Sequence, residues 1–281
     1  MATSNFPRFG SLFKGALKSV FNNLGVYLPI VLLFSVLTVV FIFGLGYLGL
    51  EELPKEPGNF EEVSMLFKEL LTPQIILIAL TYIVLTVLLN VFFPLAILKA
   101  HQQQEKHASE AIEWAAKNLW NGVVVGFLQF WYAFWKAVWP AVVLGLVWLA
   151  TNYFGVAWGN LRFVFAILVI PVVINAVYFM VKRGIEATFS VVALVDDGNK
   201  GWSAVNKSVS VAKGNLGHIF VTMLLAGIIL SLLTIPFAFI TSFLGESGPS
   251  VFAGVAIEFL LGTFITAIFT VLIYDIYKAL K

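Results

Sequence analysis

The sequence predicts an all-α membrane protein whose six transmembrane helices form three hairpins, each preceded by an amphipathic helix at the cytoplasmic surface. Of the 281 residues, 60% are hydrophobic and only 11% are charged, whereas about a quarter of an ordinary soluble domain is charged. Six apolar segments each approach or exceed the roughly 20 helical residues that cross a hydrocarbon core. A related amphipathic stretch precedes every odd-numbered segment at nearly constant spacing.

The six apolar segments are expected to be helices. Backbone groups cannot stay unpaired in lipid, and no ten-residue alternating pattern indicates a barrel. One proline in each of the first five segments predicts tolerated kinks, at Pro29, Pro94, Pro140, Pro171 and Pro236. The segments lie near 25–50, 73–99, 121–150, 161–182, 217–244 and 251–277.

The basic residues predict the topology, because Lys and Arg concentrate on the cytoplasmic side of a membrane. Of the 17 basic residues, 13 fall on the side of the two chain termini. Both termini are therefore expected in the cytoplasm, with the protein in the cytoplasmic, or inner, membrane. A net charge of +2 gives no reason to expect a nucleic-acid partner, and the lack of cysteine excludes disulfides and thiolate chemistry.

The amphipathic stretches indicate an internal threefold repeat within a single domain, 1–281. They read SLFKGALKSVFNNLG at 11–25, ASEAIEWAAKNLWNG at 108–122 and WSAVNKSVSVAKGNLG at 202–217, and their closing glycines are 97 and 95 residues apart. The repeats would cover about 8–100, 101–195 and 196–281. The alternative is that any basic amphipathic helix before a span looks similar.

The third stretch shows most clearly why these helices are expected at the membrane surface. Trp202, Val205, Val209 and Ala212 recur at helical spacing, and polar residues occupy the other side. A helix this short cannot span a bilayer but can lie along it. Five residues are therefore predicted to contact lipid headgroups or a partner protein: Lys14, Lys18, Trp202, Lys207 and Lys213.

A longer pattern over 182–217, with echoes at 11–25 and 108–122, carries a family resemblance. It consists of a basic pair that closes a span, an acidic turn, an A-x-x-K-S helix and a K-G-N end. Its residues are Lys182, Arg183, Asp196, Asp197, Gly198, Ala204, Lys207, Ser208, Lys213, Gly214 and Asn215. The pattern resembles the six-span membrane domain of glycerophosphodiester phosphodiesterases and its stand-alone bacterial inner-membrane relatives. The resemblance implies a membrane domain without established catalytic residues, since the phosphodiesterase activity belongs to a separate barrel domain.

Polar residues inside the predicted spans form the second candidate site. Lys136 and Glu258 are the only ionisable groups well inside spans, and they are expected to face each other, because a charge at mid-bilayer usually pairs or meets water. This intramembrane polar cluster is either a cavity for a substrate, ion or headgroup, or a set of interhelical hydrogen bonds and one ion pair. Alternatively, 120–135 lies in the interface. The cluster comprises Asn90, Gln129, Tyr132, Lys136, Asn175 and Glu258.

The sequence thus predicts a non-enzymatic membrane protein, without cofactor or metal, that binds lipids or other membrane-protein subunits as a scaffold. The alternative is a small transporter whose polar cavity surrounds Lys136 and Glu258. A membrane-embedded enzyme is a third possibility, although no catalytic constellation supports it. The G-x-G-x-x-G match at Gly44–Gly49 ends a membrane helix and so lacks a phosphate-binding context. His101, Glu105 and His107 do not share a helical face and are expected in a solvated connection.

Overall fold

The computed structural model describes residues 7–47, 77, 80–81, 83–84, 87–103, 107–153, 158–242 and 248–281. Regular structure across these ranges is entirely helical, which confirms the predicted all-α class. The acidic first connection lies outside the described residues, as does part of the first half of the second predicted span.

Nine α-helices are seen in the described part of the chain. A π-helical turn, Leu88–Phe92, immediately precedes the third. The helices are α1 (Phe9–Asn22), α2 (Leu24–Tyr47), α3 (Phe93–Gln103), α4 (Ala108–Tyr153), α5 (Trp158–Ala187), α6 (Ser190–Asp197), α7 (Trp202–Ala212), α8 (Leu216–Ser242) and α9 (Gly248–Leu280).

Two of these helices are long and apolar enough to cross a membrane by themselves. The qualifying stretches are Leu216–Phe237 in α8 and Ala253–Leu280 in α9, and the pair α1–α2 makes a third if it is counted as one bent span. These helices suggest a membrane protein. The six spans and the threefold repeat stay predictions.

The apolar side chains exposed along α8 fit this interpretation. Five large apolar side chains of α8 are exposed, which would be unfavourable in water: Leu224, Ile228, Leu232, Ile235 and Phe239. Similar exposed rows of Leu, Val, Ile or aromatic residues occur along α2, α4 and α5. A surface of this kind is stable when hydrocarbon rather than water covers it.

The junctions before the odd-numbered segments differ from one another. At the first, α1 and α2 meet at an angle of 85°, and the Asn23 side chain donates to the carbonyl of Ser19 at 2.8 Å. At the third, Gly214 adopts a φ of +89° between α7 and α8, which glycine accepts without steric cost. At the second, α4 runs unbroken through Asn121 and Gly122.

The expectation of a separate second surface helix ending at Gly122 is therefore wrong. Like Asn23, Asn118 donates from its side chain to the carbonyl four residues earlier, at 3.0 Å. Because the helix continues past Asn118, this bond alone does not end a helix. Leu119 and Trp120 after it are better helix formers than the Asn22-Asn23 pair of the first junction. The buried Gly122 is held inside the helix. Gly25 and Gly217 likewise lie within helices, at the starts of α2 and α8.

The π-helical turn before α3 has a local cause in Pro94. Proline has no N–H, so it cannot donate to the carbonyl of Asn90 four residues earlier. In a π turn each carbonyl accepts from the N–H five residues later, so the Asn90 carbonyl regains a donor. The turn places Asn90 in an irregular stretch, the kind of position that is frequent at functional sites.

The chain forms two compact units made of interleaved segments. The His101 unit comprises Gly10–Leu119 and Leu225–Leu272, and the Ser208 unit comprises Trp120–Leu224 and Ile273–Lys281 together with the start of the chain. In the His101 unit α2 packs on α3, and in the Ser208 unit α7 packs on α5 and α6. The division of a single domain into three repeats stays a prediction.

Candidate functional site

The end of α9 and the end of α6 meet in a polar cluster, which we call the C-terminal cluster. Three residues of α9 and Lys281 directly after its end are spaced at i, i+3, i+4 and i+7, which places them on one side of the helix. On α6, the buried Val192 and Leu194 anchor a short helix that ends in two aspartates. Gly198, with a φ of +69°, terminates α6. The cluster comprises Asp196, Asp197, Tyr274, Tyr277, Lys278 and Lys281.

The two aspartates of this cluster accept bonds from every one of the α9 side chains. The Tyr274 hydroxyl donates to Asp196 at 2.8 Å. The Nζ atoms of Lys278 and Lys281 each lie 3.1 Å from an Asp196 carboxylate oxygen. Asp197 accepts from Tyr277 and Lys281. Because the Asp196 side chain is only 5% exposed, these contacts matter more than exposed ion pairs do.

The same contacts set the ionisation of the groups outside the spans. Partial burial raises the pKa of the Asp196 carboxyl, but hydrogen bonds from Tyr274, Lys281 and Lys278 outweigh it, so the pKa lies below its ordinary value. Hydrogen bonds to Asp197 and then Asp196 raise the pKa of the Lys281 ammonium. Both shifts favour the charged forms at neutral pH.

Ser208 joins α7 to the chain that links α5 and α6. Its fully buried hydroxyl donates to the carbonyl of Glu186 at 2.7 Å and accepts from the N–H of Phe189 at 3.0 Å. The ring of Phe189 in turn contacts that of Tyr277, with centroids 5.7 Å apart. The A-x-x-K-S sequence therefore supplies a packing contact, since Ala204 is also fully buried against this surface.

Four of the five residues predicted to contact lipid headgroups have exposed side chains. On α1, Lys14 and Lys18 are exposed, whereas Leu12, Ala16 and Val20 are buried. On α7, Trp202 and Lys213 are exposed and Lys207 is half-buried.

The apolar stripe of α7 divides between two environments. Val205 and Ala212 are buried in the Ser208 unit, but Trp202 is 46% exposed. The stripe is therefore used in part for packing on α5 and α6. Membrane contact by the exposed remainder stays a prediction.

Tyr132 belongs to the intramembrane polar cluster but contacts two residues outside that cluster. Its hydroxyl donates to Glu186 Oε2 at 2.8 Å. Arg183 donates to the Tyr132 carbonyl at 3.1 Å, and its guanidinium lies 4.7 Å from the centre of the Tyr132 ring. Gln129 is half-buried and makes no hydrogen bond with the described residues. The side chain of Lys136 lies outside the described part, so its pairing with Glu258 stays a prediction.

Asn90 and Glu258 do come together. Both line a cavity of about 390 Å³ in the His101 unit, alongside the threonines Thr38, Thr263 and Thr266. Each threonine hydroxyl donates to the carbonyl four residues earlier in its own helix, which leaves its acceptor lone pairs available. The lining therefore combines these polar groups with the apolar side chains of Phe93 and Phe259.

Asn175 lines a different, mostly apolar cavity of about 570 Å³ between α4 and α5. Trp135, Trp139 and Phe179 line it together with Pro140. The Asn175 amide makes no hydrogen bond to a described residue. Asn175 thus lines a cavity of the Ser208 unit, whereas Asn90 and Glu258 line one of the His101 unit.

His101 is held inside the His101 unit rather than in a solvated connection. Its Nδ1 lies 3.2 Å from the Ser19 hydroxyl and 3.0 Å from the Tyr27 hydroxyl. The nearby Lys99 is buried, with its ammonium 4.9 Å from the centre of the Trp114 ring. The polar residues near the end of α3 therefore contact α1, α2 and α4.

No group of three or more histidine or acidic residues within the described ranges is arranged to hold a metal ion. The C-terminal cluster escaped sequence reasoning although its signal was available. The tyrosines and lysines at the end of α9 have helical spacing, but nothing local identifies the aspartates some 80 residues earlier as their partners.

Comparison with known proteins adds no family: no family model, curated protein or solved structure matches the chain. The fold and the exposed apolar faces suggest an α-helical membrane protein. The resemblance to the phosphodiesterase-linked membrane domain stays a prediction.

Proposed function

We propose that the chain is a non-enzymatic, six-span protein of the cytoplasmic membrane, with both termini cytoplasmic, that serves as a lipid-binding scaffold. Its surface helices bind the headgroups of anionic lipids. The observation that carries this proposal is the 85° bend between α1 and α2. If α2 runs along the membrane normal, a bend of this size lays α1 nearly flat in the membrane plane.

The faces of α1 fit a helix at the membrane surface. Lys14, Lys18 and Phe21 follow one another at i, i+4 and i+7 and are all exposed, so they share one outward face. Phe21 is 55% exposed, yet its ring contacts Phe264 with centroids 5.7 Å apart. A cationic face with one large apolar side chain is typical of helices in the interface.

On α7, two exposed residues offer a similar pairing of aromatic and cationic groups. Trp202 begins the helix and Lys213 follows its end. Tryptophan is enriched at the membrane–water interface because its ring is apolar and its N–H is polar. The ammonium of Lys213 would meet lipid phosphates at the same level. Each lysine near an anionic surface contributes about 1 kcal/mol.

Photoactivatable phosphatidylglycerol in nanodiscs tests the proposal directly. We expect crosslinks on α1 and α7 and far fewer with a phosphatidylcholine probe of the same chain length. Replacing Lys14 and Lys18 by Gln should weaken labelling of α1 about five-fold per lysine. The matched control is the replacement of Lys55 and Lys68 by Gln, which removes the same charge on the side predicted to be opposite.

Equal labelling of α1 by the two probes, or equal loss with the control variant, would refute headgroup recognition. Cysteine labelling from outside and inside the cell tests the topology separately. Residues 202–213 should react only from the cytoplasmic side. Crosslinking in native membranes would detect partner subunits bound to the same surfaces.

A second candidate function, a small transporter, is favoured by the polar cavity that Asn90 and Glu258 share. Glu258 lies within a candidate span, where an ionisable group is costly and often marks a transport pathway. Replacing Glu258 and Lys136 together by Leu tests this role. A scaffold should keep its lipid labelling, whereas a transporter should lose solute-driven currents in proteoliposomes.

A further inference from the structure

Asn175 is a polar side chain that finds no hydrogen-bond partner among the residues that the structure describes. It is exposed on α5, between the exposed Ile174 and the half-buried Ala176, and makes no hydrogen bond to a described residue. An amide that faces hydrocarbon without a partner is costly, because lipid chains offer nothing to bind. Polar residues inside a span are costly and often belong to a functional site.

The groove around Asn175 has aromatic walls and further unpaired donors. Trp135 and Trp139 stand on α4 and Phe179 on α5, and the Trp135 ring stacks on Trp131 with centroids 4.7 Å apart. The indole N–H groups of Trp135 and Trp139 make no hydrogen bond within the described ranges. Three side chains therefore offer N–H donors and only Asn175 offers an acceptor, so the groove favours a ligand that carries acceptor oxygens.

The position of the groove along the membrane normal limits which part of a lipid molecule can reach it. Asn175 precedes Arg183 on α5 by eight residues, which is about 12 Å along a helix. Arg183 stacks on Tyr132 and marks the headgroup end of both helices in the proposed orientation. The ester carbonyls of a phospholipid lie at the edge of a hydrocarbon core about 30 Å thick, and so above Asn175. An acceptor at this depth belongs to a molecule whose polar ring is itself dissolved in the membrane.

We propose that this groove between α4 and α5 binds a lipid-soluble planar ring with carbonyl oxygens, of the benzoquinone or naphthoquinone type. The ring stacks on the tryptophans, and its carbonyl accepts from the Asn175 amide. The volume of about 570 Å³ falls within the usual range for small-molecule sites. The inference rests on the proposed placement of α4 and α5 in the membrane, but not on the headgroup contacts of α1 and α7.

A short-chain azidobenzoquinone probe and the full chain in nanodiscs test the site. We expect labelling near Trp135, Trp139 and Phe179, with competition by decyl-benzoquinone. Asn175→Leu should weaken that competition about 3- to 20-fold, the range measured for single hydrogen bonds between helices in lipid. Leucine suits a lipid-facing position, so this variant should fold. Ala176→Phe fills the groove, keeps Asn175 and should abolish labelling.

Val173→Phe is the matched control, because Val173 is exposed on the same helix but does not line the groove. It should bind the probe like the unchanged chain. Labelling that is indifferent to both Asn175→Leu and Ala176→Phe would show only partition into the membrane and would overturn the site. Labelling of the groove by a photoactivatable phosphatidylcholine with the same sensitivity to Ala176→Phe would also overturn it.

A second measurement separates this inference from the function it rests on. With Val173→Cys, reaction with a membrane-impermeant maleimide would refute the membrane placement of α5 and with it the proposed six spans. Protection of that cysteine without binding of the quinone probe would refute the site alone.

Discussion

The hydroxyl of Tyr274, nearly two turns before the end of α9, donates a 2.8 Å hydrogen bond to the carboxylate of Asp196 at the end of α6. The two residues are 78 positions apart in the chain. This bond and its neighbours tie the C-terminus to the chain between α5 and α7. The last helix is therefore fixed at its end by charge-assisted bonds as well as by apolar packing.

Removing this bond should destabilise the Ser208 unit. Tyr274→Phe keeps the ring but deletes a hydrogen bond to a charged acceptor, which costs about 1.5–3 kcal/mol. Unfolding in mixed micelles, followed by tryptophan fluorescence, measures the change. Tyr178→Phe is the control, because the Tyr178 ring is 60% exposed, and it should change the unfolding free energy by less than about 0.5 kcal/mol.

The C-terminal cluster should confer a stability that depends on pH at both extremes. Because the pKa of Asp196 is lowered in the fold, its contribution is present above the unfolded value of about 3.9 and is lost as pH falls through the folded value. The raised pKa of Lys281 gives a contribution that is complete below about 10.4 and lost as pH rises further.

Melting temperatures of the unchanged chain and of Asp196→Asn should therefore differ most between about pH 4 and 10 and converge in acid. Glu113→Gln alters an exposed pair with Lys117 and should show no such profile. A difference for Asp196→Asn that persists undiminished at pH 2 would contradict the ionic account.

Ser208 should be far more sensitive to substitution than its neighbour Ser210. Ser208→Ala leaves the buried Phe189 N–H and the Glu186 carbonyl without their partner and should cost about 1–3 kcal/mol. Ser210 is exposed and bonds only the carbonyl of Lys207 in its own helix, so Ser210→Ala should be nearly neutral. Hydrogen exchange at Phe189 provides the local measurement, and equal effects would argue against the packing of α7 described above.

Two glycines near the third junction should respond in opposite directions. Gly214→Ala forces an L side chain to a φ of +89° and should cost about 1–2 kcal/mol. Gly217 lies inside α8, and no atom within 4 Å would meet its added Cβ, so Gly217→Ala should stabilise by up to about 1 kcal/mol. Unfolding free energies of the two variants test which glycine forms the hinge. Destabilisation of similar size by both would contradict this assignment.

In the first and third stretches the helix does break close to the Asn-Leu-Gly sequence, but both closing glycines, Gly25 and Gly217, lie inside the following helix. Asn-Leu-Gly recurs in both stretches, and so does the break, yet Gly214 rather than Gly217 takes the positive φ. In the second stretch the related sequence Asn-Leu-Trp-Asn-Gly lies inside one continuous helix. Short polar motifs bias a helix end, but the neighbouring propensities decide it.

The polar residues were grouped by depth in the predicted spans, and depth alone could not assign their partners. Asn90 and Glu258 do share a cavity, but Tyr132 bonds Glu186 and Arg183, and Asn175 faces an aromatic groove. Two residues at equal depth can lie on opposite sides of a helix or in different units. Which of them meet depends on how the helices are rotated and packed.

Composition and a 3.6-residue period predict that the chain is helical, that its surfaces are apolar enough for lipid, and that short amphipathic stretches precede some of its long helices. Both kinds of signal are local. The folded chain adds what no local signal contains: the aspartates of α6 bind the end of α9, Ser208 joins α7 to the α5–α6 connection, and Asn175 makes no hydrogen bond to a described residue. Such pairings join residues up to 85 positions apart, and they arise from the packing of whole helices, which no local period records.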